Sequence, residues 1–346
     1  MTSHRSESPE ASQYPPSSPD HLPPLADLPP VEAPSASFIV QLFVIPAVIV
    51  LVVIGVWLLF GKLAGGERDA MEYVRLMRAS STNFRAANRA AFELASLLQN
   101  DPKLASDPKL LAELTDLLEH ELDQVENPEM AQYVALALGR FNTLEATSST
   151  GQKVDPVSAL DRALDAKYSV GIRMAAAASL AKHAARLQGK FEDPRAVEAL
   201  TKTSEADDSE IRQMAVYALG FFGGDSAVAT LRAKLNDADR FVRYNAAVAL
   251  ARKGDLAAKG ALAEMLSSQS LDKLITLESA TEKQAKIESI ELEALNALQD
   301  ATGDGKTDLA AALKPELTAL TASGLVSVRN HAQSLLNKVS TAQKTK

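Results

Sequence analysis

The chain has no cysteine, which removes disulfides, thiolate metal sites and cysteine nucleophiles together. It says nothing of compartment, since a chain without thiols is stable on either side of a membrane. Aromatic residues make up only 5% of the 346 positions, with a single Trp. A β-sandwich core draws heavily on aromatic and β-branched side chains, so tightly packed helices are favoured instead. Basic residues are outnumbered, 36 Lys and Arg against 44 Asp and Glu. A net charge of −8 argues against nucleic acid as the main ligand, because a phosphate backbone selects a basic face. The length allows two or three ordinary domains or one elongated array.

Three parts are visible. Residues 1–37 are an acidic tail holding nine of the 16 prolines (Pro9, Pro15, Pro16, Pro19, Pro23, Pro24, Pro29, Pro30 and Pro34). That density forbids a helix and leaves too little apolar surface for a core, so a disordered tail is expected. Residues 38–60, FIVQLFVIPAVIVLVVIGVWLLF, carry no charge and one polar side chain, Gln41. Their length suits a transmembrane helix rather than a cleaved signal, since the preceding residues are acidic. Residues 67–346 form the remaining body, opening with a short amphipathic helix over about 67–79.

The body repeats. Counting from Ile211, apolar or small residues follow at +4, +7 and +8: Ala215, Ala218 and Leu219. The same offsets hold from Val242 (Ala246, Ala249, Leu250), Val328 (Ala332, Leu335, Leu336), Ile172 (Ala176, Ser179, Leu180) and Met130 (Val134, Ala137, Leu138). Such spacing lines one face of a helix, with small residues admitting a close neighbour. A second helix keeps register at +20 and +24, with Leu231 and Leu235 after Ile211 and Leu262 and Leu266 after Val242. From Ile172 its partners Val197 and Leu200 arrive eight residues late, across LQGKFEDP at 187–194. A delay shared by the second helix and the next repeat marks a loop between rigid units. Three residues before four of these origins stand the N-cap candidates Asn127, Ser169, Asp208 and Asp239. Arg173, Arg212, Arg243 and Arg329 stand one residue after. Carboxylate caps followed by such arginines suggest a ladder linking repeat to repeat, best defined at Asp208 and Asp239.

The pattern D-x-x-[IV]-R-x-x-A-x-x-A-L, read at Asp208–Leu219 and Asp239–Leu250, resembles HEAT repeats and the HEAT-like repeats of bilin-lyase type. It covers 127–266 well and 84–118 and 286–340 loosely. Glu288 replaces the arginine in the last stretch, and 267–286 reads as a partly helical insertion. The whole chain is similar to membrane-anchored HEAT-repeat proteins of bacteria. The implied fold is all-α: one N-terminal transmembrane helix, then an α-solenoid of HEAT-like helical pairs. The implied role is that of a scaffold or adaptor for an unidentified protein or peptide.

The alternative is a HEAT-repeat enzyme of hydroxylase or bilin-lyase type. Its di-iron site needs several His-Glu pairs, and the sole His-Glu dipeptide is His120-Glu121 in LLEHELD. The other histidines, His4, His21, His183 and His331, are scattered. ATGDGKT at 301–307 looks like a phosphate loop, but a Walker motif needs Gly where Asp300 stands, after a strand. As a calcium loop it lacks the closing Glu, with Ala311 at that position. No catalytic, cofactor-binding or metal-ligating residue is assigned, and no cofactor is implied.

In HEAT arrays the arginine-bearing helix lines the concave side, which implies a binding face of Leu136, Arg140, Lys182, Tyr217, Phe221, Tyr244, Val248 and Arg252. Apolar positions at +6 beside mostly basic ones at +10 suit an acidic-apolar peptide. The same cations also answer the helix dipole. Arg75 and Arg78 are placed to touch anionic lipid beside the anchor. Positive charge after the anchor places the solenoid in the cytoplasm of a single-pass inner-membrane protein, although a large domain can be exported despite flanking charge.

Overall fold

The computed structural model describes residues 45–64, 69–79, 84–124, 127–187, 191 and 193–345. The chain divides into two compact units, Met1–Glu67 and Arg68–Lys346. The expected tail over 1–37 lies outside the described residues.

In the first unit α1 spans Ile45–Ala64. Residues 38–44 of the expected membrane span lie outside the described residues, and the described side chains of α1 run from Ala47 to Val56. At about 1.5 Å per residue that stretch covers half of the roughly 30 Å hydrocarbon core. Among the described residues no helix is long and apolar enough to cross a membrane. This corrects the expectation of a single-pass protein of the inner membrane, and the lipid contact expected of Arg75 and Arg78 goes with it. Arg78 is instead held by Glu113, at 2.9 Å to the carboxylate and 3.2 Å to the carbonyl.

The second unit is helical almost throughout. About 76% of the described residues are helical, in 17 α-helices. The unit opens with α2 (Ala70–Ala79), α3 (Phe84–Asn100), α4 (Pro108–Gln124) and α5 (Pro128–Leu138). It continues with α6 (Pro156–Ala163), α7 (Val170–Arg186), α8 (Pro194–Thr203), α9 (Ser209–Leu219), α10 (Asp225–Lys234) and α11 (Arg240–Arg252). Then come α12 (Lys259–Met265), α13 (Ser268–Leu274), α14 (Ala280–Gly303), α15 (Asp308–Ala312), α16 (Lys314–Leu320) and α17 (Val326–Thr345). An expectation of no sheet fails at one place. In the loop after α5 a two-residue ribbon pairs β1 (Ala146–Thr147) with β2 (Lys153–Val154), antiparallel. The chain turns tightly between them with Gly151 at φ 82°.

The helices lie in two layers. The first helices of the repeats stack directly, α3 on α5, α5 on α7, α7 on α9, α9 on α11, α11 on α14 and α14 on α17. We call this the inner layer. Helices α4, α6, α8, α10, α12 and α16 back it from the other side, each against a neighbour in the inner layer. The core lies between. Met130, Ile172, Ile211, Val242 and Val328 are all buried, as are their +4, +7 and +8 residues apart from the half-buried Leu336. A backing row of Val197, Leu200, Leu231, Leu262 and Leu266 is buried with them.

Close approach between inner helices follows from a further small position at +9. Gly139 and Gly220 stand there, and a Cβ on either would meet the +7 residue of the next repeat, Ser179 or Ala249, at under 3 Å. Ala181 and Ala251 occupy the equivalent sites and are buried. Both ends of each inner helix are then tied to a neighbour. At the start, Gln213 Nε2 donates to the cap Asp239 at 3.1 Å, and Asn127 Nδ2 donates to Asn88 at 3.4 Å. At the end, side chains of one helix satisfy free carbonyls of the helix before it, the groups a helix cannot bond itself. Ser179 donates to Ala135 O at 2.7 Å, Lys253 to Phe222 O at 2.8 Å, and Arg186 to Phe141 O.

Candidate interaction surface

The proposed ladder residues have a different job from the one the spacing suggests. Asp208 and Asp239 cap their own helices, each accepting from two backbone N–H groups (Glu210 and Ile211; Phe241 and Val242). The arginines turn back onto the preceding turn of their own repeat. Arg212 donates to the carbonyls of Ala206 and Asp207, Arg243 to those of Asp237 and Ala238, Arg329 to Ser323 and Arg173 to Leu164. One true inter-repeat ion pair exists among these arginines, Arg212 with Asp237 through two hydrogen bonds of 3.0 and 3.1 Å. Its partner is two residues before the cap, not the cap itself, because the cap oxygen is already spent on the helix N-terminus. These residues therefore belong to the scaffold, and a ligand would not find them free.

The eight residues assigned to a binding face separate into two groups. Leu136, Arg140, Lys182, Tyr217, Phe221 and Arg252 are exposed or half-buried on the inner layer. Tyr217 is 42% exposed, and its ring meets Phe221 edge-on with centroids 5.0 Å apart. The Arg252 guanidinium lies 5.9 Å over the Phe221 ring and pairs with Asp300 at 3.6 Å. Tyr244 and Val248 must be removed from the face, since each is only 3% exposed. The cover comes from the inserted segment. Leu274 accepts from Arg240, Lys286 sits 5.0 Å over the Phe241 ring, and the Tyr244 hydroxyl donates to Glu264 at 2.6 Å. Burial, then the Glu264 carboxylate, push the Tyr244 phenol upward. A cleft of about 630 Å³ remains here, floored by Phe241 and Tyr244 and edged by Leu277.

Carboxylates are sparse on the inner helices α5 to α11, whereas inner α14 carries Glu282, Glu288, Glu291, Glu293 and Asp300. Helices α7 and α11 contain no Asp or Glu, while α5 and α9 have one each, Glu129 and Glu210, in the first turn. Behind them α4 alone carries Glu113, Asp116, Glu119, Glu121 and Asp123. Arg140 and Lys182 are exposed, and no ion pair neutralises either among the described residues. Partial burial, then the neighbouring Arg140, pull the Lys182 ammonium below its ordinary range. The row of +6 positions gains one residue that the spacing alone does not reveal. Asn88 accepts from the next repeat's cap Asn127 at the place where Gln213 donates to Asp239, which aligns the exposed Ala86 of α3 with the buried origins of later repeats. Its +6 residue is then Phe92, 68% exposed. The signal was present in FELASLL, but the first repeat lacks the arginine that sets the register elsewhere.

The three histidines among the described residues do not converge. His120 is exposed on α4, and His331 is half-buried on α17 with Nδ1 2.9 Å from Ser327 O. His183 on α7 is 0% exposed, with Nε2 3.1 Å from Leu138 O and Nδ1 toward Arg186. Burial, then Arg186, hold its pKa down at about 3 against an ordinary 6.5. The folded protein thus keeps a neutral imidazole that donates to the Leu138 carbonyl. Stability is full above about pH 6.5 and is lost toward pH 3, because the unfolded chain takes the proton first, by up to about 1.4 kcal/mol per pH unit. Asp161, pushed up to about 7, gains stability over the same interval, so the His183 loss is read from urea unfolding at pH 7 and pH 5 as a difference between native protein and variant. His183→Gln, which keeps a donor without the titration, should remove that loss, and an equal slope in both proteins would refute the role.

Asp155, Asp161 and Asp193 lie together around Arg195, which bonds Asp155 at 2.8 Å and Asp193 at 2.7 Å. Burial, then the Asp193 carboxylate, push Asp161 up to about 7. Among the described residues no group of three or more His, Cys, Asp or Glu could hold a metal ion. The ATGDGKT stretch ends a helix: Gly305 takes φ 80° and Lys306 N bonds Ala301 O at 2.9 Å, closing the last turn of α14.

The family pattern for HEAT repeats matches residues 175–251 and 197–281. No curated protein matches the chain in sequence. Among solved structures, a designed armadillo repeat protein in complex with the peptide (KR)4 is similar at 16% identity, over 78% of this chain and 98% of that one, with a TM-score of 0.37. The Pds5–Scc1 complex is similar at 15% identity over 80% of this chain but 41% of that one, with a TM-score of 0.40. Human deoxyhypusine hydroxylase in complex with glycerol is similar at 17% identity, over 82% of this chain and 99% of that one, with a TM-score of 0.28.

Proposed function

Starting from a chain that carries HEAT repeats, we propose that it is a protein-interaction scaffold whose contact surface is the inner layer, and that it binds rather than catalyses. The observation that carries this reading is the exposed Tyr217, packed edge-on against the half-buried Phe221, on helices with few carboxylates. Large amphipathic rings left in water on a regular array are costly unless a partner covers them, and Tyr is enriched among the residues that dominate binding energy. A repeat array suits this use, since each unit adds contact area without altering the fold of the next. The dispersed histidines supply no converging ligand set for a hydroxylase-type reaction.

The test is comparative capture. Full-length protein and its Tyr217→Ala/Phe221→Ala variant are used as paired baits, with helicity and unfolding midpoint checked for both. Proteins retained by the first and lost from the second support the reading. Identical sets from two equally folded baits would sink it.

A further inference from the structure

The sixth-position stripe crosses four successive inner helices. It runs from Phe92 on α3 through the half-buried Leu136 on α5 and Ala178 on α7 to Tyr217 on α9, with Phe221 beside it. Past α9 it stops, because Val248 is covered. Aromatic rings therefore mark its two ends and smaller side chains its middle. Beside that middle stand Arg140 and Lys182, both exposed and without an ion pair among the described residues; burial and then the Arg140 charge pull the Lys182 ammonium down. Two like charges held together at a surface are stabilised by a counter-charge from outside.

We propose that α3, α5, α7 and α9 form a seat for one extended acidic segment of a partner protein. An apolar side chain at each end packs on Phe92 and on Tyr217–Phe221, and carboxylates between them meet Arg140 and Lys182. The proposal rests on the scaffold reading and adds the occupant's chemistry and length. Three inter-helix steps of about 8–10 Å make the seat about 25–30 Å long. An extended chain covers that in about eight or nine residues at roughly 3.3 Å each. Helix α7 has no carboxylate, and the single ones of α5 and α9, Glu129 and Glu210, lie in the first turn, at the opposite end from Arg140 and Lys182.

Selection from a displayed library of random dodecamer peptides tests this on the full-length protein. The enriched peptides should be acidic, with apolar residues about eight positions apart. Arg140→Glu/Lys182→Glu should weaken a selected peptide about tenfold or more, and Phe92→Ala should weaken it several-fold. Affinity should also fall as salt rises. An empty selection, enrichment of neutral or basic peptides, or indifference to the charge reversal overturns the proposal. So does tighter binding of a single-stranded oligothymidine probe than of the best peptide. The two readings fail separately. Peptides lost with Tyr217→Ala/Phe221→Ala but indifferent to Arg140→Glu/Lys182→Glu leave the surface standing and refute its acidic occupant. Peptides indifferent to both refute the surface as well.

Discussion

Leu250→Ala is expected to cost about 2–5 kcal/mol of stability, the range for truncating a fully buried leucine. Leu250 is 0% exposed at the +8 position of α11, which packs against both α9 and α14. The Ala left behind would face a cavity that neighbouring side chains cannot close, since α11 is held at its start by Gln213 and at its end by Lys253. Folded domains are stable by only about 5–15 kcal/mol, so the loss is a large share of the total. In a one-dimensional array the damage stays near its source. Amide exchange should accelerate most in α9, α11 and α14, and least in α3 and α5. Leu256→Ala, at a side chain 55% exposed, should stay within about 0.5 kcal/mol. Urea unfolding of the two variants decides the matter. Equal costs would mean that the register drawn from Val242 is wrong.

Gly139→Ala is expected to be nearly as damaging although it adds only a methyl group. Gly139 has an ordinary helical backbone, φ −68° and ψ −5°, so no conformational strain enters. The cost is contact alone. A Cβ there would stand 2.8 Å from both Cα and Cβ of Ser179, on the facing helix. Ser179 cannot yield easily, being buried and bonded to Ala135 O at 2.7 Å. The helices α5 and α7 must then separate, which overpacking studies place at about 1–3 kcal/mol or more. Gly139→Ala/Ser179→Gly should recover part of the loss, a coupling that thermal unfolding of both single variants and the double would reveal. Additive effects would show that the two residues do not touch.

Much of this architecture is legible in the sequence because a repeat states the same constraint several times. In the five copies counted from Met130, Ile172, Ile211, Val242 and Val328, residues at +4, +7 and +8 are small or apolar, and all but Leu336 are buried. The +9 position was as regular, with Gly139, Ala181, Gly220 and Ala251, but a lone glycine after a helix reads as a stop signal and hides its role as a contact. Register beyond the repeat was less visible. Tyr244 and Val248 sit at positions that are open in earlier repeats, and only the fold of 267–286 covers them. The arginines were recognised as structural, yet spacing could not say that each would turn back to carbonyls five or six residues earlier at Arg212 and Arg243. Phe92 went unseen for the opposite reason: the first repeat has no arginine to align it.

The central claim is that partners are held by the inner layer and not by its backing. The most direct measurement is the dissociation constant of the strongest captured protein for three forms of the full-length chain. These are the native protein, Tyr217→Ala/Phe221→Ala on α9, and Glu198→Ala/Lys202→Ala on the exposed side of α8. The account predicts a loss of about tenfold or more for the first variant and less than about twofold for the second. A partner that ignores the α9 variant and is lost with the α8 variant would contradict it.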